Sequence, residues 1–196
     1  EKAGGCMKLS VTGDIHGDVF LLFGMTESMS DEEMLFVAGD FGMFWYDTKI
    51  CQEKMLIIND ILENKNSYIV FVDGNHDNHR FLNSQEVSDF YGAKSHKLMT
   101  RIIHIMRGEI LRIDDIKIFC FGGAYSVDRF WRVKNETYFE EELPNQEEYD
   151  NGIMNLKRNN MKVDYILIRV LEVLWKSWEQ DIMWQKRKNC KTLFNG

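Results

Sequence analysis

Three short apolar runs end in the same way, and that pattern constrains the fold more than any other feature of the chain. MKLSVT (7–12), MLFVA (34–38) and YIVFV (68–72) are β-prone, and each runs into a glycine followed by an acid or amide: Gly13-Asp14, Gly39-Asp40 and Gly74-Asn75. Between them, Val19 to Met29 and Lys49 to Asn64 carry apolar residues at helical spacing, the second through Ile50, Met55, Ile57, Ile58, Ile61 and Leu62. Strand, loop, helix, strand is the rhythm of a largely parallel sheet with helices on its faces. Such sheets bind ligands beyond the carboxyl ends of their strands. The three glycine loops are therefore the expected location of a site.

The second half of the chain reads differently. His96 to Met106, Glu109 to Ile113 and Lys117 to Phe121 are expected as short strands, with a hairpin turn at Asp114-Asp115, which predicts a second, more antiparallel sheet. Glu140 to Asn160 is expected to be helical, opening near Pro144, with the Glu140 to Glu148 acids as a solvated face near its N-terminus. Val163 to Leu167 reads as one more buried strand.

Composition narrows the class. With 44% apolar residues, 13 Phe, 7 Tyr and 5 Trp, the chain can bury a core without disulfides or structural zinc. Cys6, Cys51, Cys120 and Cys190 are scattered with no CxxC pair, as expected of reduced thiols in the cytoplasm, with Cys120 in the core. A net charge of −7 disfavours general binding to nucleic acid. No apolar stretch is long enough to span a bilayer, and Glu1 to Cys6 lack the build of a signal peptide. Met7 is expected to be the native start, with residues 1–6 an artificial extension.

The chemistry lies in the loops GDIHG (13–17), GDFG (39–42) and GNHD (74–77). Taken singly, each is compatible with an ordinary turn. As a set they place Asp, His and Asn side chains at three strand ends, a mixture of oxygen and imidazole donors suited to Mn, Fe, Zn or Mg. The trio, in this order, resembles the calcineurin-like metallophosphoesterases, whose pattern is D-x-H, then G-D, then G-N-H-[DE]. The likeness runs from Met7 to about Leu167, and SHKL, HIMRG, Gly122-Gly123-Ala124 with Ser126 and Asp128, and KVDYIL are similar to the small bacterial and phage branch. The resemblance implies an α/β fold, a four-layer αββα sandwich across residues 7–168, here lacking its last strands. It also implies two divalent ions, most simply Mn²⁺, and hydrolysis of a phosphomonoester or phosphodiester, a small molecule or nucleotide. Carried over residue by residue, it makes Asp14 and His16 ligands of the first ion and Asp40 the bridge between the two. Asn75 becomes a ligand of the second ion that also touches phosphate, and His76 the group that protonates the leaving group or orients phosphate. Arg80 and His79 follow GNHD and are candidates to touch phosphate, with a solvated helix start as the alternative.

After a strand such as VDYIL the family places a Thr-His or Ser-His, and later a Gly-His-x-His. Here the chain continues with IRVLEVLWKSW, and all five histidines (His16, His76, His79, His96, His104) precede residue 105. The late motifs are absent, so the second ion is expected to be held weakly. His96 or His104 is the candidate substitute ligand. Residues 169–196, with Trp175, Trp178 and Trp184, read as an atypical helical tail, as a shifted reading frame would leave, with an apolar face suited to self-association. Arg107 is read as a surface strand position or a phosphate contact. Phe130 and Trp131 are read as stacking on a base or lining a cleft, with packing under a loop as the alternative. The alternative function is an inactive, truncated relative that binds one ion or none and serves at most as an interaction module.

Overall fold

The computed structural model describes residues 7–45, 49–169 and 191–192, with side chains for all of these except 49–51 and 191–192. Apart from Arg169 and residues 191–192, the expected tail lies outside the described residues.

The first sheet contains β1 (Lys8–Thr12), β2 (Glu33–Ala38), β3 (Tyr68–Val72), β4 (Val87–Phe90), β5 (Ala93–Met99) and β6 (Ile102–Ile105), in the order β1-β2-β3-β6-β5-β4. β1, β2, β3 and β6 run parallel, while β5 is antiparallel to both of its neighbours. The second sheet contains β7 (Glu109–Ile113), β8 (Ile116–Phe121), β9 (Tyr165–Ile168) and the two-residue β10 (Lys191–Thr192), in the order β10-β9-β8-β7. The helices are α1 (Val19–Ser28), α2 (Lys49–Asn64), α3 (His79–Asn83) and α4 (Gln146–Arg158).

Alternation along the strands explains why two sheets stack. In β2 and β3, Leu35, Val37, Ile69 and Phe71 face Leu22, Met55, Ile58 and Leu62 of the helices. The residues between them, Met34, Phe36, Val70 and Val72, point the other way and meet Leu111, Ile113, Ile118, Cys120 and Leu167 of the second sheet. The far face of that sheet, with Ile110, Phe119 and Phe121, is covered by Leu156 of α4. Three apolar interfaces separate four layers, helix, sheet, sheet and helix, which is the αββα sandwich. Strands covered on both faces read as unbroken apolar runs, as β2 and β3 do.

Several expectations change. His96 to Met106 is not one strand: the chain turns after Met99 and returns as β6, and both strands join the first sheet. β4 was not foreseen, because VSDF has little apolar signal. The helix expected from Glu140 starts at Gln146, where Asn145 caps it through a capping box with Glu148. The acids before it are not a solvated face throughout, since Glu142 is fully buried and accepts bonds from the Ser126 backbone N–H and Oγ and from Arg129.

Candidate active site

The ends of β1, β2 and β3 bring the three glycine loops together. The Asp40 carbonyl accepts the backbone N–H groups of Ile15 (3.1 Å) and His16 (2.8 Å), which ties the first loop to the second. Asp40 Oδ1 accepts the His76 N–H at 2.8 Å, and Asp77 accepts the N–H groups of Gly42 and Gly74, both at 2.8 Å, which ties in the third. His16 and Asp40 sit at φ 51° and 49°, the left-handed region that costs a side-chain-bearing residue energy. Gly74 is required by close approach: a Cβ there would meet the Asp40 carboxylate and lie 2.6 Å from the Asp40 backbone nitrogen.

Asp14 and His16 point outward from the first loop, with His16 Nε2 2.9 Å from Asp14 Oδ2 and 3.9 Å from Asp40 Oδ2. Potential ligand atoms of His16, Asp40 and His76 lie within 4.8 Å of one another, and the His16 and His76 rings meet edge to face at 4.7 Å. Partial burial acts to raise the Asp14 pKa, but its backbone hydrogen bond and His16 hold the carboxyl below the usual range. Burial, and then the Arg132 guanidinium, push His76 below the usual imidazole range. Burial likewise pushes Asp77 up to about 7, against the two N–H bonds that favour its charged form.

Asn75 is buried, and its Nδ2 donates to Ser126 Oγ at 3.4 Å; that hydroxyl donates to Glu142 at 2.7 Å. Ser126 and Glu142 thus anchor the side chain that the sequence marked as a ligand. Arg80 is exposed, with its guanidinium 5.8 Å from the Phe139 ring, and is absent from the residues lining the cleft. His79 is buried, bonded through Nε2 to the Gly74 carbonyl at 2.9 Å and facing Asp73 at 3.7 Å, so it supports the third loop from behind. Arg107 is neither a surface residue nor a phosphate contact. It is buried and donates to Asp73 Oδ2 (2.6 Å), Glu148 and two backbone carbonyls. His96 and His104 are buried against each other, Nδ1 to Nδ1 at 3.1 Å, with His104 Nε2 3.3 Å from Asp73. This places them beneath the site, not among its donors. Phe130 and Trp131 are 87% and 91% exposed, so neither packs under a loop, and neither lines the cleft.

Two arginines were not anticipated. Arg132 is held by Asp128 (2.8 Å) and the Thr137 carbonyl (3.1 Å), and its Nη2 donates to His76 Nε2 at 2.8 Å. It helps line a cleft of about 320 Å³ with His16, Gly17, Gly42, Met43, Trp45, His76 and Thr137. Arg169, at the end of β9, places Nη2 2.6 Å from Asp40 Oδ2 and 3.7 Å from Asp14 Oδ2. The sequence marked neither one, because each acts on residues far away in the chain.

The family model described as calcineurin-like phosphoesterase matches residues 7–195. The chain belongs to the calcineurin-like phosphoesterases. Neither a curated protein nor a solved structure matches it. Membership implies a metal-dependent phosphoesterase, and the described donors fit one divalent ion of such a site: His16, Asp40 and His76 bring ligand atoms within 4.8 Å of one another, and the exposed Asp14 carboxylate lies 2.9 Å from His16. A second ion of this calcineurin-like site fits less well, because Asp40 Oδ2, the oxygen that faces His16, already accepts from a guanidinium, and Oδ1 accepts the His76 N–H, which leaves Asp40 no free oxygen to share between two ions.

Proposed function

We propose that the chain hydrolyses phosphoesters of small molecules or nucleotides, with a divalent ion, Mn²⁺ foremost, held by Asp14, His16 and Asp40. The observation that carries this reading is the mutual hydrogen bonding of the three loops through Asp40, which gathers the His16, Asp40 and His76 side chains within 4.8 Å, with Asp14 beside His16. When bound, the ion supplies positive charge for phosphoryl oxygens and acidifies water. Asp40, fully buried, contributes a fixed carboxylate in a setting of low dielectric, where its charge acts strongly. Asn75, restrained by Ser126, and the Arg132 guanidinium take the phosphoryl oxygens, Arg132 by the paired N–H geometry that suits phosphate. When Arg132 turns to phosphate it releases His76 Nε2, which then handles the proton of the leaving group. The cleft wall at Met43, Trp45 and Thr137 accommodates the leaving group. The scattered cysteines favour a cytoplasmic setting, and among the described residues no helix is long and apolar enough to cross a membrane.

A second reading, a catalytically silent relative that holds one ion or none and serves as an interaction module, is favoured by Arg169 on Asp40. Self-association through residues 169–196 would belong to that reading. The two are separated by turnover of p-nitrophenyl phosphate and bis-p-nitrophenyl phosphate with Mn²⁺, Fe²⁺, Zn²⁺ or Mg²⁺, by the wild type and Asp40→Asn. Metal-dependent turnover lost on substitution supports the enzyme. No turnover with any ion, or full activity in Asp40→Asn, defeats it.

A further inference from the structure

The placement of Arg169 is too specific to be a surface ion pair. Asp40 is fully buried, and a buried carboxylate needs a cation or several hydrogen bonds beside it. Its Oδ1 has the His76 N–H; its Oδ2 has the Arg169 guanidinium at 2.6 Å, which also faces Asp14 Oδ2 at 3.7 Å. The same positive group therefore spans the two carboxylates that converge on the site.

The path of the side chain is built into the fold. The Arg169 backbone N–H donates to the Phe121 carbonyl at 3.3 Å, extending the β8–β9 ladder to the edge of the site. Its stem then crosses Gly39, where a Cβ would lie 2.6 Å from Arg169 Cγ and Cδ and 2.8 Å from its Cβ. A side chain at 39 would collide with that stem and force it to shift. Gly39, at φ 91°, thus serves both the turn and the passage of the arginine. Arg169 Nε is buried without a partner, so the side chain is held by its charge contacts at the far end.

We propose that the Arg169 guanidinium fills the place of one cation at Asp40, so that the chain takes up a single divalent ion beside Asp14 and His16, and that removing this side chain opens a second cation position. The inference rests on the reading of Asp14, His16 and Asp40 as metal donors. A fixed monovalent cation neutralises part of the carboxylate charge that a second ion requires, and it occupies the oxygen that the ion would take. It also weakens the first ion by charge repulsion across a few ångströms of partly dry protein.

The test is Mn²⁺ titration of the full chain by electron paramagnetic resonance and calorimetry. It compares wild type, Arg169→Ala and Arg169→Gln, the last keeping most of the stem without the charge, with melting curves to show that each is folded. We expect one Mn²⁺ per wild-type chain, two in the uncharged variants, and roughly tenfold tighter binding of the first ion. Two ions in the wild type, or one ion at unchanged affinity in folded variants, would overturn the inference and leave the metal reading standing. No binding by any of the three would remove both. A rise in stoichiometry without phosphoester turnover would uphold the inference while the enzyme reading fails.

Discussion

His96 should make the fold acid-sensitive, by an amount that follows from its surroundings. Burial, and then the neighbouring His104, push its pKa down to about 4 from 6.5. A base whose pKa is lower in the folded state takes its proton more readily when unfolded, so between pH 6.5 and 4 stability falls as pH falls. At 1.36 kcal/mol per unit the full effect is about 3 kcal/mol, and about 2 kcal/mol is lost between pH 7 and pH 4.5. Burial is the larger cause; the second is the close approach of His96 Nδ1 to His104 Nδ1 at 3.1 Å. Replacing His96→Gln keeps a hydrogen-bonding side chain that does not titrate in this range. Urea unfolding of both proteins at pH 7 and pH 4.5 gives the assay. With m near 2 kcal/mol/M, the wild-type midpoint should drop by about 1 M more than that of the variant. Equal losses in the two proteins would show that His96 is not the proton acceptor, and the reasoning would fail.

Arg132→Ala should raise KM for a phosphoester by roughly 10–100-fold, the scale of a lost charge-assisted hydrogen bond. It should also move the His76 limb of the pH profile upward, because the guanidinium helps hold that imidazole down; an unchanged KM and an unmoved limb would exclude Arg132 from phosphate binding. Gly74→Ala should destabilise the chain by about 1–3 kcal/mol and sharply weaken Mn²⁺ binding, since the added methyl meets the Asp40 carboxylate. Melting curves and Mn²⁺ titration measure both effects, and a folded Gly74→Ala protein with unchanged affinity would refute the packing argument.

The local part of this protein is legible in its sequence. β2 and β3 declare themselves by apolar runs, because both of their faces are covered, and the loops that follow declare their chemistry by residue type at fixed spacing from a strand end. Asp14, His16, Asp40 and His76 come together because each lies within a few residues of such an end, and parallel pairing then brings the ends into register. What long-range packing decided lay beyond that reach. Glu142 looks like any surface acid until Ser126 and Arg129 close over it. Arg107 looks like a strand-edge cation until Asp73 takes it inside. His96 and His104 carry no local mark of being paired, since each gains its partner only when β5 and β6 fold back on one another. Arg169 stands 129 residues from Asp40, and only the stacking of the second sheet against the first brings a guanidinium to a carboxylate that the sequence had reserved for a metal ion. Periodicity and motif spacing describe what a residue does to its chain neighbours. The charge that finally faces a buried carboxylate is set by which distant strand end packs beside it.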